Sequence, residues 1–377
     1  MRVALVCDWF LPRMGGIELH LRDLALALRR RGMDARIVTT TRGPDLMDGL
    51  PVHRVPAALA PGADFAFTPS AFRRLRALLR EEAFDVVHAH ASVISPVAYA
   101  AALAGARDGR ATLLTFHSML HGSAFVLGAS EALFGWASGR VVMTGVSGVV
   151  AAQAARWIPN AAVGVLPNGI DLAFWHPASL PLPGRDEVLF VSAMRLSRKK
   201  RAARLLRAFA DASRFVAGSP RLRLIVAGDG PDRGALERQA DELGVGAQVE
   251  LVGHQSREAL RALYERAHVF VLPSERESFG IAALEARAAG LPIIAMLASG
   301  VRDFVRPGLD GLLARDGREL SRFMARCAVD VPFREFVARH NRSTPPPYDW
   351  RDVAALHETF YEAAIALRER AARASHR

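Results

Sequence analysis

Along this chain two hydrophobic rhythms alternate almost from end to end. Short β-branched runs such as 3–7 read as strands, and stretches whose apolar residues recur every three or four positions read as helices. The segment 17–31 is of the second kind, with Leu19, Leu21, Leu24, Leu26 and Leu28 supplying its apolar side, and with 35–39 it closes a first βαβ unit. Further strands are predicted at 85–89, 112–116, 141–146 and 162–166. These runs are apolar nearly throughout rather than at alternate positions, which predicts a parallel sheet covered by helices on both faces.

The rhythm breaks at His176-Pro177, Pro181, Pro183 and Gly184, so 175–186 reads as a linker. It restarts with strands at 187–192, 222–227, 248–252, 268–272 and 292–295. Thr344-Pro345-Pro346-Pro347 then interrupts it before a last helix from Trp350. The expectation is an α/β chain of two doubly wound domains, 1–174 and 187–347, with a C-terminal helical segment, 348–377, packing back toward the first. In this architecture ligands bind at the carboxyl ends of the strands, in a cleft that the two domains face.

Composition narrows the function classes. Of the 377 residues, 51% are apolar and 23% charged, which excludes a disordered chain. Cys7 and Cys327 cannot build a disulfide framework and have no zinc-type spacing, so a reducing, cytoplasmic setting is expected. The apolar run at 3–7 ends at Asp8, too soon for a secretory leader, and no stretch approaches the roughly 20 apolar residues of a membrane span. The net charge of +11 admits nucleic acid, anionic lipid or a phosphorylated ligand as partner. Only two of the 49 cations are lysine, and they are neighbours, Lys199 and Lys200. The arginines are dispersed and carry no aromatic-basic motif, which leaves nucleic acid without support.

The densest chemistry lies in Ser274-Glu275-Arg276-Glu277-Ser278-Phe279-Gly280-Ile281-Ala282-Ala283-Leu284-Glu285, directly after a predicted strand. A helix starting near Gly280 would present unpaired first-turn amides around Phe279, Gly280 and Ile281, a ready diphosphate site. Glu277 precedes that helix and Glu285 sits in its second turn, so both can face one pocket; on a generic helix they would be a dipole partner and a surface residue. His88 and His90 share one strand face, but no third ligand has suitable spacing, and no metal is assigned.

This Glu-x7-Glu segment resembles the retaining glycosyltransferases of family 4, which have the GT-B fold of two Rossmann-like domains facing across a cleft. Other landmarks stand in order: Met14-Gly15-Gly16-Ile17-Glu18, Val87-His88-Ala89-His90, Thr115-Phe116-His117-Ser118, Asn168-Gly169, Met194-Arg195 through Lys200, and Ala227-Gly228-Asp229-Gly230. The resemblance implies a glycosyltransferase that needs no cofactor and takes a UDP- or GDP-linked sugar as donor. It assigns Glu285 and Glu277 to the ribose and the donor sugar, Arg195 and Lys200 to the diphosphate, and Ser278, Phe279, Gly280 and Ile281 to the helix mouth. Gly15 and Gly16 would admit sugar-phosphate and acceptor, His90 and His117 would line the sugar and acceptor pocket, and Gly253 and His254 would contact the base. Glu277, His117, Arg195 and Lys200 form the implied catalytic set. The chain departs from the family where Arg201 replaces a usual Gly, and where Ser299-Gly300 replaces a Gly-Gly.

The acceptor is less legible. The opening motif and Thr115-Phe116-His117-Ser118 resemble the phosphatidylinositol glycosyltransferase branch, which implies a lipid acceptor, with a soluble glycan as the other reading. Residues 71–80 form a basic amphipathic helix whose Arg73, Arg74, Arg76 and Arg80 could meet anionic lipid at a membrane's inner face, or simply face water. A sugar-nucleotide epimerase or hydrolase, or a catalytically silent nucleotide-sugar binder, stays open beside the transferase.

Overall fold

The computed structural model describes residues 1–13, 15–55, 68–120, 139–158, 162–176, 187–218 and 220–375, with residues 128, 129, 131 and 135 besides. Most of the predicted linker, and Met14 of the first glycine motif, lie outside the described residues. The chain divides into two compact units, Met1–Gly169 with Tyr348–Arg377, and Ile170–Pro347.

The first unit is built on a sheet ordered β3-β4-β2-β1-β5-β6-β7-β8. Its strands are β1 (Arg2–Cys7), β2 (Asp34–Thr39), β3 (Leu46–Met47), β4 (Leu50–Arg54), β5 (Val86–Ala91), β6 (Ala111–Phe116), β7 (Val142–Gly145) and β8 (Val163–Val165). All neighbours pair in parallel except the edge hairpin β3-β4, which is too short and too Pro-interrupted to show in the hydrophobic rhythm. Helices α1 (Gly16–Arg30), α2 (Pro69–Glu81), α3 (Pro96–Arg107) and α4 (Gly148–Trp157) connect the strands. Leu21, Leu24 and Leu28 turn one face of α1 into the core beside Val3, Leu5 and Ile37. The last helix of the chain supplies Trp350, Val353, Ala354 and Tyr361 to that same core.

The second unit carries a wholly parallel sheet ordered β11-β10-β9-β12-β13-β14. Its strands are β9 (Glu187–Ala193), β10 (Arg221–Ala227), β11 (Val249–Gly253), β12 (Val269–Leu272), β13 (Ile293–Met296) and β14 (Gly311–Ala314). In order along the sheet these are the third, second, first, fourth, fifth and sixth strands of the unit, the arrangement of dinucleotide-binding folds. Strand order reverses between β9 and β12, and the loops leaving those two strands open a crevice at their carboxyl ends. The helices are α5 (Leu172–Trp175), α6 (Ala202–Val216), α7 (Arg233–Glu242), α8 (Arg257–Arg266), α9 (Ile281–Ala288), α10 (Gly317–Val329) and α11 (Val331–Ser343), and α12 (Trp350–Ser375) is the terminal helix that belongs to the first unit.

One boundary moves. The sequence predicts a first domain running to residue 174, whereas the first unit closes at Gly169 and α5 joins the second. The reason is packing: the Trp175 ring is buried against Tyr264, centroids 5.7 Å apart, and His176 Nδ1 donates to the Ala288 carbonyl at 3.2 Å.

Candidate active site

The chemistry of the second unit gathers at the reversal of strand order. After β9 the chain passes exposed Arg195 and makes a single 3₁₀ turn, Arg198–Lys200, before α6. After β12 it passes buried Ser274 and reaches Glu277 just ahead of α9. Lys200 Nζ donates to Glu277 Oε2 at 2.6 Å, and the Ser274 hydroxyl donates to the Lys199 carbonyl at 3.3 Å, so the two loops are tied together twice. A third tie is Arg204 to Glu275 at 2.6 Å. The Glu277 side chain keeps only 13% of its exposure, which weakens solvent screening of the pair.

Gly280 caps α9 with φ +94°, a left-handed conformation, and a Cβ there would lie 2.6 Å from Val301 Cγ2. Only glycine lets the chain turn so abruptly into the helix. Phe279 is buried behind the turn, while Ser278 and Ile281 are half-buried at the helix mouth. Glu285 lies one turn further along α9, half-buried, close enough to Tyr264 that burial and the carboxylate together push the phenol above its ordinary range. Gly253 and exposed His254 stand elsewhere, at the end of edge strand β11, two strands from β9.

Two departures from the family pattern have visible consequences. Arg201 takes φ +61°, ψ +31°, the left-handed geometry that a glycine would adopt without strain. Ser299 sits at φ −92°, where no glycine is required, and its hydroxyl donates to the Met296 carbonyl at 2.6 Å.

The first unit assembles a buried histidine cluster. His88 and His90 stack on β5 with centroids 3.9 Å apart. His117, immediately after β6, meets His90 through Nε2 and Nδ1 at 2.9 Å. His20 of α1 lies 5.1 Å from the His117 ring, and His357 of α12 lies 5.6 Å from His88. The His88 ring is engaged on both sides, by the Tyr361 hydroxyl at 3.0 Å and by Thr115 Oγ1 at 2.8 Å. Burial, then the neighbouring imidazoles, lower His20, His88, His90 and His117, the last to about 3, while at His357 burial outweighs the bond to the Val353 carbonyl and brings the ring down to about 4. Sequence reasoning named His90 and His117 and missed His20. Its one signal was a histidine set beside the apolar positions Leu21 and Leu24 of an otherwise core-facing helix.

Gly15 and Gly16 open α1, Gly16 exposed to solvent; a Cβ on Gly15 would lie 2.4 Å from the Glu18 carboxylate, which folds over the start of its own helix. At the end of β1, buried Asp8 accepts the amide of Val97 at 3.0 Å and that of Ala98 at 3.4 Å at the start of α3. Burial outweighs these bonds and raises Asp8 to about 6. On α2, Ala71, Leu75 and Leu79 face inward and Arg73 and Arg74 face solvent. Arg76 and Arg80 both clamp Asp108, Arg80 Nη2 at 2.7 Å. Burial of Asp108 is outweighed by these two guanidinium groups, which hold it down at about 2.

Residues 14–174 match the family profile described as "Glycosyltransferase Family 4", and residues 177–326 that described as "Glycosyl transferases group 1". Among curated relatives, the phosphatidylinositol N-acetylglucosaminyltransferase gpi3 subunit of Schizosaccharomyces pombe is 26% identical, over 95% of this chain and 80% of its own. D-inositol 3-phosphate glycosyltransferase of Mycolicibacterium paratuberculosis is 31% identical, over 79% of this chain and 74% of its own. Among solved structures, Anabaena HepE in complex with UDP superposes with a TM-score of 0.74 at 18% identity, over 96% of this chain and 100% of that one, a likeness of fold.

Proposed function

This chain belongs to glycosyltransferase family 4, with the GT-B fold and a nucleotide sugar as its donor, and from that premise we propose that it transfers the sugar with retention onto a hydroxyl of an inositol-type lipid headgroup. The observation that carries the reading is the Lys200–Glu277 pair at the reversal of strand order in the second unit. An ammonium, a carboxylate and the first-turn amides of α9 meet there, where this sheet topology receives a diphosphate.

In this reading Arg195 and Lys200 bind the diphosphate and neutralise the charge that grows on it as the glycosyl bond breaks. Glu277 exchanges its partner Lys200 for hydroxyls of the donor sugar, and Glu285 accepts hydrogen bonds from the ribose. Ser278, Phe279, Gly280 and Ile281 shape the helix mouth, and Gly253 and His254 are assigned to the base, uridine or guanosine. In the first unit Gly15, Gly16, His90 and His117 are assigned to the transferred sugar and the acceptor. The acceptor oxygen forms the new bond to the anomeric carbon on the face from which the diphosphate leaves, and its proton passes to the departing phosphate. Such a route asks for positioning and charge neutralisation rather than for a protein nucleophile or a metal.

The lipid headgroup rests on the inositol-directed relatives and on the basic outer face of α2, where Arg73 and Arg74 are free to approach anionic lipid. None of the relatives described above is an epimerase, a hydrolase or a silent binder. Incubation with UDP-, GDP- and ADP-sugars and a lipid extract, following labelled sugar, tests the reading. Transfer to lipid that Glu277→Ala abolishes is expected. Free sugar released at full rate whatever the acceptor would identify a hydrolase instead.

A further inference from the structure

His20, His90 and His117 come from three separate elements, α1, β5 and the residue after β6, and are 4%, 2% and 6% exposed. Each offers one ring nitrogen such that the three nitrogens lie within 4.8 Å of one another. Zinc–imidazole bonds are about 2.0–2.1 Å, so small ring movements would bring all three nitrogens onto one ion. The sequence supplied no third ligand spaced from His88 and His90; the fold brings one from α1.

Two further facts distinguish these rings from ordinary core histidines. Among the described residues, His20 Nδ1 and His90 Nε2 are buried without a hydrogen-bond partner, whereas both nitrogens of neighbouring His88 are satisfied by Tyr361 and Thr115. Whichever ring donates in the His90–His117 bond, one polar nitrogen of His90 is left unserved, an arrangement that costs stability unless something fills it. Three neutral imidazoles with no carboxylate or thiolate among them suit zinc, copper or nickel and not magnesium or calcium.

We propose that His20, His90 and His117 bind one divalent transition-metal ion of the zinc class, leaving a fourth position for water or an anionic oxygen. The ion is no part of the transfer chemistry. Its consequence rests on the reading above: an ion bound to His117 withdraws that ring from the sugar pocket, so the metal inhibits transfer.

The test uses the full, untagged chain. Titration with ZnCl2 against a chromogenic chelator should show one tight equivalent, and CoCl2 should develop the strong visible bands of four-coordinate cobalt. His20→Gln should weaken zinc binding at least about tenfold, since loss of even an outer-shell partner of a ligand costs about 10–100-fold. His20→Cys, which restores a ligand atom, should retain the site, so a folding defect in the first variant does not decide the matter. Absence of a stoichiometric site, or zinc binding identical in wild type and His20→Gln, overturns the proposal. Zinc bound at one equivalent with transfer unimpaired keeps the site and removes His117 from the sugar pocket, which separates failure of the functional reading from failure of this one.

Discussion

Lys200 Nζ and Glu277 Oε2 stand 2.6 Å apart, each neutralising the other across the mouth of α9. In a chain that otherwise uses arginine almost exclusively, the loop after β9 holds the only two lysines. A compact ammonium can reach a single carboxylate oxygen and pivot to a phosphate; a planar guanidinium favours a fixed two-point grip on the carboxylate. Lys200→Ala is expected to lower kcat/KM by about 10²–10³-fold, as removal of one charge-stabilising donor does. Lys200→Arg is expected to impair turnover as well, although charge is kept. Steady-state kinetics on the nucleotide sugar decide the point, and wild-type rates in Lys200→Arg would show that any cation serves.

Arg201 begins α6 in left-handed geometry at φ +61°. That conformation costs a side-chain-bearing residue about 1–2 kcal/mol, while a glycine there gives back about 0.5–1 kcal/mol through its looser unfolded chain. Arg201→Gly should therefore be neutral to slightly stabilising, by up to about 1.5 kcal/mol, in urea unfolding. Clear destabilisation would mean that the arginine side chain makes a contact worth more than the strain.

Asp8 provides a pH signature. Its folded value of about 6 lies above the ordinary 3.8 because burial outweighs the amides of Val97 and Ala98. Between those values the folded state holds an extra proton, so this contribution to stability is full below pH 4 and lost as the pH rises through about 6. The change is on the order of 3 kcal/mol for a two-unit shift. Asp8→Asn has no proton to lose, and its stability relative to wild type should rise between pH 4 and pH 7 in thermal unfolding. A parallel pair of curves would refute the buried, proton-holding state.

On α2 the four arginines divide by partner. Arg76 and Arg80 are committed to Asp108, whereas Arg73 and Arg74 point outward. If the helix meets anionic lipid, Arg73→Gln with Arg74→Gln should weaken binding to phosphatidylserine or phosphatidylinositol vesicles by roughly 30-fold at low salt, the expected loss for two basic residues. Arg76→Gln should change vesicle binding little and act through the Asp108 pair instead. Because Asp108 is held at about 2, that pair is intact above pH 4 and fails only as the pH falls toward 2. Sedimentation with and without the anionic lipid separates the cases; equal binding of all variants would remove α2 from the membrane reading.

The sequence by itself determined the parallel α/β architecture, since apolar runs alternating with 3.6-period segments have few other ways to bury themselves. It also determined the helix mouth at Gly280, because local chemistry suffices there: a carboxylate, a turn that needs glycine and a short helix follow one another along the chain. The hairpin β3-β4 and strand β14 escaped notice, being too short to carry a rhythm of their own. Only the tertiary structure decided what was paired with what. Lys200 and Glu277 are 77 residues apart, and His20 of α1 reaches His117 just after β6. No periodicity encodes such a meeting: it is fixed by strand order, which places β9 beside β12 in the second unit and β1 beside β5 and β5 beside β6 in the first, and so brings distant segments together within each unit.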